Sequence, residues 1–304
     1  MKEIKNVLIC GIGAIGSIYA DKISAYDNEN LKILVDEKRF EKYIKTPKIF
    51  NGKELKLNYI LPDKENFKAD LIIISTKYNG FFDALNNTKN FVKDDTIMLS
   101  LLNGVTSEDY LAQRYGWKHI VHSYFIGHSA MRDGNKITFD GMGDIVFGVL
   151  NSDITDKNDE FILKNYFDKV GISYNIPEDI ERSMWLKFML NVSSNQISAI
   201  LHKTFGQMQS SKKIRNLLKN IMLEVVEIAK AKSVNNTDTI IDDAFKGFDK
   251  MIPEGKTSML QDIEAGRKTE VEMFAGAVIE MGEKYNIQTP YNKILKEMIE
   301  IIEE

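Results

Sequence analysis

The first half of the chain alternates short apolar runs with amphipathic segments. The apolar runs predict strands at 5–10, 31–35, 57–60, 71–75, 96–99 and 119–122. Segments of helical periodicity lie between several of these strands, at 14–26, 38–45, 81–87 and 107–115. Because this alternation is typical of parallel βαβ units, it predicts an α/β fold with a doubly wound sheet. The uninterrupted apolar run at 71–75 is typical of a central strand that is buried on both faces.

The pattern changes beyond residue 130. Short strands are predicted at 136–139 and 145–148, on either side of the segment Asp140-Gly-Met-Gly143, and we interpret them as a hairpin on an antiparallel edge. A helical segment and a further strand at 172–176 follow. Pro177 and the two acidic residues after it are typical of a helix start.

Beyond Pro177 almost all of the periodicity is helical. The predicted helices are 178–201, 211–232, 237–249, 258–284 and 291–303, with breaks at Gly206, Asn235-Asn236, Pro253-Glu-Gly255 and Pro290. The sequence therefore predicts two domains, a sheet domain at 1–177 and an all-α domain at 178–304.

A glycine motif stands at the end of the first strand. The chain reads Gly11-Ile12-Gly13-Ala14-Ile15-Gly16 between an apolar strand and an apolar segment that is able to form a helix. In this context the first glycine permits a tight turn, the second lets backbone approach a pyrophosphate, and the third lets the helix pack on the sheet. The first helical turn then points its amide groups at the anion. The motif predicts a Rossmann-type dinucleotide-binding domain at 1–177, although a glycine turn without a ligand has the same residues.

The composition is that of an ordinary globular protein, with 43% hydrophobic and 28% charged residues. A net charge of −4 argues against a general nucleic-acid or membrane-surface binder, which presents a basic face. The single cysteine, Cys10, excludes an intramolecular disulfide, and no leader-like N-terminus or bilayer-length apolar run is found, so we expect a cytoplasmic protein. The four histidines share no metal-ligand spacing, so no metal site is expected.

A polar stripe runs along a helix that is otherwise mostly apolar. Lys187, Asn191 and Asn195 recur every four residues and share one face, with Ser194 and Ser198 beside it. Buried ammonium and amide groups need polar partners, so the stripe fits either a hydrogen-bond network between helices or a polar ligand. The apolar neighbours of Lys187 disfavour its charge and lower its pKa, which suits a general acid near neutral pH.

A second polar segment runs from 257 to 272. Ser258 stands three residues before Gln261, a spacing typical of a helix cap, and a helix start also favours a carboxylate ligand. Glu270 is flanked by charged residues, a pattern that by itself is typical of a solvated face.

Two loop residues follow strands of the predicted sheet. Lys77 comes after the strand at 71–75, and Asn103 comes after the strand at 96–99. Ligands bind at the carboxyl ends of strands in open α/β sheets, although an Asn-Gly pair is also an ordinary turn. We expect both residues to line the cofactor groove.

Over nearly its full length the chain resembles the ketopantoate reductases (2-dehydropantoate 2-reductases). The matching motifs are the glycine motif at 11–16, Lys77, Asn103-Gly104, Lys187-x-x-x-Asn191-x-x-x-Asn195, and Ser258-Met-Leu-Gln-Asp262 continuing to Arg267-Lys-Thr-Glu270. The last two are far more specific than the glycine motif. The resemblance implies a helical C-terminal domain similar to that of 6-phosphogluconate dehydrogenase.

The resemblance also implies an activity, the NADPH-dependent reduction of 2-dehydropantoate to pantoate in pantothenate biosynthesis. It implies that Lys187 is the general acid, that Glu270 bonds the reacting region, and that Lys77 lines the nicotinamide side. The residues implied to hold the substrate are Asn103, which is also placed beside the cofactor, Asn191, Asn195 and Ser258.

One residue departs from the family pattern. Asp36 follows the second strand, 20 residues after Gly16, where an acid suits the ribose hydroxyls of NAD and repels the 2′-phosphate of NADP. The family usually has an arginine there. Lys38 and Arg39 follow closely and supply cations for the phosphate. The resemblance favours NADP(H), and Asp36 keeps NAD(H) open.

Two other functions fit the same residues. A related reductase of another small 2-keto acid fits because nothing in the sequence fixes the branched side of the substrate. A non-catalytic dinucleotide sensor fits the glycine motif but has no need of the complete polar set. We also expect a homodimer from the apolar faces of the C-terminal helices, and closure of the domains over the substrate.

Overall fold

A computed structural model describes residues 2–63, 66–127, 130–141, 143–150 and 155–304. The strands are β1 (Val7–Cys10), β2 (Leu31–Leu34), β3 (Ile49–Phe50), β4 (Lys53–Glu54), β5 (Tyr59–Ile60), β6 (Leu71–Ile74), β7 (Ile97–Ser100), β8 (Ile120–Gly127), β9 (Met131–Asp133), β10 (Lys136–Thr138), β11 (Gly143–Gly148) and β12 (Tyr174–Asn175). The helices are α1 (Ala14–Asp27), α2 (Glu37–Lys45), α3 (Phe81–Asn87), α4 (Ser107–Tyr115), α5 (Asn158–Val170), α6 (Ile180–Leu201), α7 (Phe205–Gln209), α8 (Lys212–Ala231), α9 (Ile240–Phe248), α10 (Ser258–Glu264), α11 (Ala277–Tyr285) and α12 (Pro290–Ile302). Single 3₁₀ turns lie at Tyr78–Gly80 and Thr237–Thr239, and a π-helical turn lies at Glu272–Gly276.

An eight-stranded sheet organises the first part of the chain, in the order β12-β11-β8-β7-β6-β1-β2-β5. From β5 to β8 each strand is parallel to its neighbours, and β11 pairs antiparallel with β8. Every residue of β1, β6 and β7 is buried, as expected for parallel strands that are covered on both faces. The predicted doubly wound α/β fold is confirmed, and β11 and β12 at one side of the sheet run antiparallel to the other strands.

A separate four-stranded sheet has the order β4-β3-β10-β9. Here the predicted hairpin of 136–139 with 145–148 is wrong, because β10 pairs with β9 whereas β11 pairs with β8 in the main sheet. The turn that joins β9 to β10 contains Gly134-Asn135 after Asp133, and an Asp-Gly pair is a strong hairpin signal. The four apolar or small residues 145–148 of β11 are buried in the larger sheet instead.

The second part of the chain is helical, as predicted, but the predicted helix at 258–284 is wrong. The chain leaves the helical conformation after Glu264 and resumes it at the π-helical turn. Gly266 has φ +61°, which ends α10, and the Arg267 amide then donates to the Asp262 carbonyl at 2.9 Å. The short helix α7 was not predicted.

The described chain divides into two compact units. The sheet unit comprises Met1–Asn103 and Ser107–Ile180, and the helical unit comprises Gly104–Thr106 and Glu181–Glu304. Within the helical unit, Gly104 lies close to Met273, whose Cγ would be 3.3 Å from a Cβ atom at this glycine. Among the described residues no helix combines the length and hydrophobicity that crossing a bilayer requires.

Candidate active site

The glycine motif forms the turn between β1 and α1. Gly11 has φ +99°, and a Cβ atom there would lie 2.7 Å from the backbone carbon of Ser75. A left-handed conformation without room for Cβ admits only glycine. The Ser75 hydroxyl donates to the Gly11 carbonyl at 2.8 Å, so the turn is tied to the end of β6.

The other two glycines of the motif have different surroundings. A Cβ atom at Gly13 would meet no atom within 4 Å, which leaves the backbone open to a ligand. A Cβ atom at Gly16 would lie 1.9 Å from the carbonyl oxygen of Gly11, so the absence of a side chain lets α1 approach the turn. These are the spaces that a pyrophosphate-binding turn requires.

The first turn of α1 offers backbone amides to an anion. The N-cap residue of this helix is Gly13, which has no side chain with which to cap the first-turn amides. Ile12 is buried in the core, whereas Ala14 and Ile15 are only partly buried. The turn therefore fits the pyrophosphate of a dinucleotide in both space and polarity.

The carboxyl ends of four neighbouring strands lie level in the main sheet. Cys10 is paired with both Leu34 and Ile74, and Ile74 is paired with Ser100. The segments that leave these ends carry the predicted cofactor residues, which are the glycine motif, Asp36, Lys77 and Asn103. The Lys77 side chain is exposed and Asn103 is partly buried.

Asp36 caps α2 at the end of β2. Its Oδ1 accepts the amide of Arg39 at 2.7 Å, and its Oδ2 contacts the Arg39 guanidinium. The two side chains are 42% and 57% exposed, so solvent reaches both groups. In Rossmann domains an acid at this position faces the adenosine ribose. A carboxylate is the group that suits a ribose hydroxyl, and here Arg39 is paired with it.

Lys187 lies near the middle of α6 in the helical unit. Its neighbours Trp185 and Phe188 are buried, while Lys187 itself keeps part of its side chain accessible. Burial lowers the pKa of Lys187 to about 8, and the negative charge of Glu270 opposes that shift. The amine is therefore a cation that gives up its proton close to neutral pH.

The two serines beside the polar stripe are bonded to backbone. Ser194 donates to the Leu190 carbonyl at 2.7 Å, and Ser198 donates to the Lys203 carbonyl at 2.6 Å. Both hydroxyls are thus bonded to nearby backbone. Asn191 is partly exposed and Asn195 is buried, and both lie on the face of α6 that carries Lys187.

The start of α10 differs from the predicted cap. Thr257, not Ser258, is the N-cap, because its hydroxyl accepts the amide of Leu260 at 3.2 Å. Thr257 is buried, whereas Ser258 is the first residue of the helix and is exposed. The predicted cap at Ser258 is therefore wrong by one residue, and the hydroxyl of Ser258 has no capping role.

Glu270 stands between α10 and the π-helical turn. Its carbonyl accepts the amides of Met273 at 3.0 Å and Phe274 at 3.3 Å. π-Helical turns occur frequently at functional sites. Glu270 is partly exposed and its charge acts on Lys187, so the helical unit brings these two predicted site residues near one another.

The remaining candidate ligands have structural partners. Cys10 is buried, and burial raises the pKa of its thiol. His119 Nδ1 lies 2.6 Å from Asp159 Oδ2, and Asp156 completes a group whose ligand-type atoms lie within 4.8 Å of one another. The contact between His119 and Asp159 gives both groups a partner within the protein. His128 lies outside the described residues.

Glu303 is a site-associated residue that the sequence did not reveal. Its side chain is 8% exposed and accepts the amide of Thr269 at 2.7 Å, one residue before Glu270. An acidic residue at the end of an amphipathic helix is usually solvated, and no local pattern distinguishes a buried one. Only the structure identifies Glu303, through a contact between residues that lie 34 positions apart in the sequence.

Two family descriptions match the chain. "Ketopantoate reductase PanE/ApbA" matches residues 7–152, and "Ketopantoate reductase PanE/ApbA C terminal" matches residues 179–303. The 2-dehydropantoate 2-reductase of Aquifex aeolicus is 26% identical over 305 residues, which cover 97% of this chain and 96% of that protein.

Solved structures share the fold over almost the whole chain. D-Mandelate dehydrogenase in complex with NADH and anilino(oxo)acetate is 25% identical, with a TM-score of 0.84 and 98% of each chain covered. The dimeric ketopantoate reductase of Staphylococcus aureus has a TM-score of 0.74 at 18% identity, again with 98% of each chain covered.

Proposed function

Because the chain belongs to the ketopantoate reductase family, we propose that it reduces 2-dehydropantoate to pantoate with NADPH. It is an oxidoreductase that acts on a CH–OH/C=O group and uses a nicotinamide dinucleotide. The observation that carries the proposal is the Lys187 amine on α6, whose pKa burial lowers to about 8 beside Glu270.

The proposed reaction adds a hydride and a proton across a ketone. The coenzyme, when bound, supplies the hydride and is itself oxidised. Negative charge then develops on the former carbonyl oxygen. The Lys187 ammonium stabilises that charge and transfers a proton to it, which gives the secondary alcohol.

Glu270 has a defined part in this scheme. Its negative charge raises the pKa of Lys187 against the effect of burial, so it keeps the amine protonated before hydride transfer. The amides of Asn191 and Asn195 and the hydroxyl of Ser258 are proposed to hold the polar groups of the substrate, and Asn103 is proposed to bind both substrate and coenzyme. In this proposal residues 1–177 bind the coenzyme, and residues 178–304 bind the substrate and supply the acid.

A second candidate is NADH-dependent reduction of another small 2-keto acid. The specific observation behind it is Asp36, whose carboxylate is fixed at the N-cap of α2 and repels a 2′-phosphate. The D-mandelate dehydrogenase that shares the fold is bound to NADH. For NADPH, by contrast, Lys38 and Arg39 must supply the positive charge, and Arg39 has to leave Asp36 to do so.

A homodimer is part of the proposal. The helix α12 exposes an apolar row, with Ile294 57%, Met298 40% and Ile301 66% exposed. Residues at this spacing lie on one side of a helix, and rows of exposed apolar side chains often pair with another surface. The related S. aureus ketopantoate reductase is dimeric.

The proposal is tested by steady-state kinetics with both coenzymes and a panel of 2-keto acids. We expect kcat/KM to be highest for 2-dehydropantoate, with pantoate as the only product formed from the keto acid. A straight-chain or aryl 2-keto acid that is turned over more than about tenfold better would favour the second candidate. Coenzyme binding without turnover of any 2-keto acid would instead indicate a sensor.

A further inference from the structure

The segment that carries Glu270 is bonded to the end of the last helix. The Thr269 amide donates to Glu303 Oε1 at 2.7 Å. Lys268 Nζ lies 3.2 Å from Glu303 Oε2 and donates to the Glu303 carbonyl, also at 3.2 Å. Three contacts thus join residues 268–269 to one residue at the C-cap of α12.

The same helix also contacts the chain on the other side of Glu270. Lys296 Nζ lies 2.9 Å from Glu272 Oε1. Between these two attachments the chain is short, and the Thr269 hydroxyl accepts the Val271 amide at 3.2 Å, which restrains it further. Glu270 therefore lies between two contacts with α12, a buried one at Thr269 and a partly exposed one at Glu272.

The bond between Glu303 and Thr269 is sheltered from water, whereas the Lys268 side chain is 70% exposed. The Glu303 side chain and Thr269 are 8% and 9% exposed. Burial alone would raise the pKa of Glu303, but the hydrogen bonds from Thr269 and the charge of Lys268 outweigh it and lower the pKa. Glu303 is thus a carboxylate, and its bond to the Thr269 amide is charge-assisted and stronger than a neutral one.

We infer that Glu303 is a positioning residue for the proposed reaction, because it fixes the backbone at 268–269 and thereby holds the Glu270 carboxylate beside Lys187. The inference rests on the proposed function. It concerns a residue that acts through Glu270 and touches neither substrate nor coenzyme.

The position of Glu270 has a measurable consequence at Lys187. Burial lowers the pKa of Lys187, and the negative charge of Glu270 raises it. If Glu270 is displaced, this opposing effect weakens and the pKa of Lys187 falls further. The rate of keto-acid reduction falls as Lys187 loses its proton at high pH. Loss of the Glu303 contact therefore moves the basic limb of the pH–rate profile to lower pH, a change that general destabilisation does not produce.

The test compares Glu303→Ala with Glu304→Ala in the 304-residue chain. Glu304 is the adjacent acid, has the same charge and is exposed, so it is a matched control. For Glu303→Ala we expect a loss in kcat/KM for the keto acid of about 10- to 100-fold, with the Kd for coenzyme unchanged. Its basic limb should move down by about one pH unit, whereas Glu304→Ala should match the wild type.

Two further variants keep the test decisive if Glu303→Ala fails to fold. Glu303→Gln keeps an acceptor for the Thr269 amide at the same reach and should recover most of the activity. Glu303→Asp keeps the charge but is one methylene shorter, so it should resemble the alanine variant. An unshifted limb in folded Glu303→Ala or Glu303→Asp overturns the inference.

Glu270→Gln separates the inference from the proposed function. If Glu270→Gln moves the basic limb and the Glu303 variants do not, only the positioning role of Glu303 is wrong. If Glu270→Gln has wild-type kinetics, the proposed role of Glu270 is wrong as well. If the roles of Glu270 and Glu303 are both correct, Glu303→Ala should not move the basic limb further in a Glu270→Gln background. The charge that Glu303 positions is already absent from that background.

Discussion

Glu108 is a carboxyl group that the sheet unit buries in the first turn of α4. It is 1% exposed, and its Oε2 accepts the Ser107 hydroxyl at 2.9 Å. Among the described residues its Oε1 has no hydrogen-bond partner. Burial raises the pKa of Glu108 to about 7, although the Ser107 hydroxyl and the backbone amides of Glu108 and Ser123 oppose the shift. The folded chain therefore holds this proton more tightly than the unfolded chain does.

This shift predicts how pH changes stability. The protonated form of Glu108 favours the folded state below the unfolded pKa of 4.5, and that contribution is lost as pH rises through about 7. Glu108→Gln mimics the protonated form at every pH. As pH rises from 5 to 8, we expect the unfolding free energy of this variant to increase by about 1–3 kcal/mol relative to that of wild type.

Urea unfolding at pH 5 and pH 8 measures the effect, with Glu41→Gln on the exposed face of α2 as the control. The control should show no such pH dependence. A difference between Glu108→Gln and wild type that stays constant with pH would mean that Glu108 is ionised in the folded chain at pH 5.

For Lys187 the effect of pH on stability has the opposite sign. Because burial lowers its pKa to about 8, the folded chain binds this proton less tightly than the unfolded chain does. Below that pH the charged amine opposes folding, and the opposition weakens as pH rises toward the unfolded value of 10.5. A lysine in such a position is expected where a reaction needs it, since an apolar side chain of similar size would stabilise the fold more.

At the scale of an element, the N-cap of α2 is also the proposed coenzyme contact. Asp36 bonds both the amide and the guanidinium of Arg39, so its carboxylate is held where the ribose is expected. Asp36→Ser keeps an N-cap acceptor and removes the charge. We expect this variant to raise the ratio of kcat/KM for NADPH to that for NADH by about tenfold or more.

The adjacent acid gives a matched control for this prediction. Glu37→Gln removes the same charge from the first turn of α2 and should leave the coenzyme ratio within about twofold of wild type. Equal ratios for Asp36→Ser and wild type would show that Asp36 does not face the ribose. A shift of equal size in Glu37→Gln would indicate an effect of net charge only.

Elements with strong hydrophobic periodicity were predictable from the sequence. Elements whose conformation depends on contacts with distant parts of the chain were not. The helices at 81–87 and 107–115 have the predicted bounds, because their periodicity and flanking residues agree. The hairpin of 136–139 with 145–148 was wrong, since strand pairing is decided by which sheet can bury each strand. The break after α10 was missed because Gly266 alone in a helical pattern is not decisive.

At the scale of the whole molecule, the fold was predicted more completely than the site. The glycine motif and the parallel strands follow from local sequence, and the structure has both. The contact of Glu303 with Thr269 and the grouping of residues 104–106 with the helical unit arise only from tertiary packing. The polar stripe of Lys187, Asn191 and Asn195 follows from helical spacing, whereas the bonds of the neighbouring Ser194 and Ser198 to backbone are seen only in the structure.

The central claim is that Lys187 donates the proton during reduction of a 2-keto acid. The most direct measurement is the single-turnover rate of coenzyme oxidation by excess 2-dehydropantoate, compared between wild type, Lys187→Ala and the exposed-lysine control Lys219→Ala. We predict that Lys187→Ala binds coenzyme as wild type does but reduces the keto acid about 10²- to 10⁴-fold more slowly, while the control is unchanged. A rate for folded Lys187→Ala within about twofold of wild type would contradict the account.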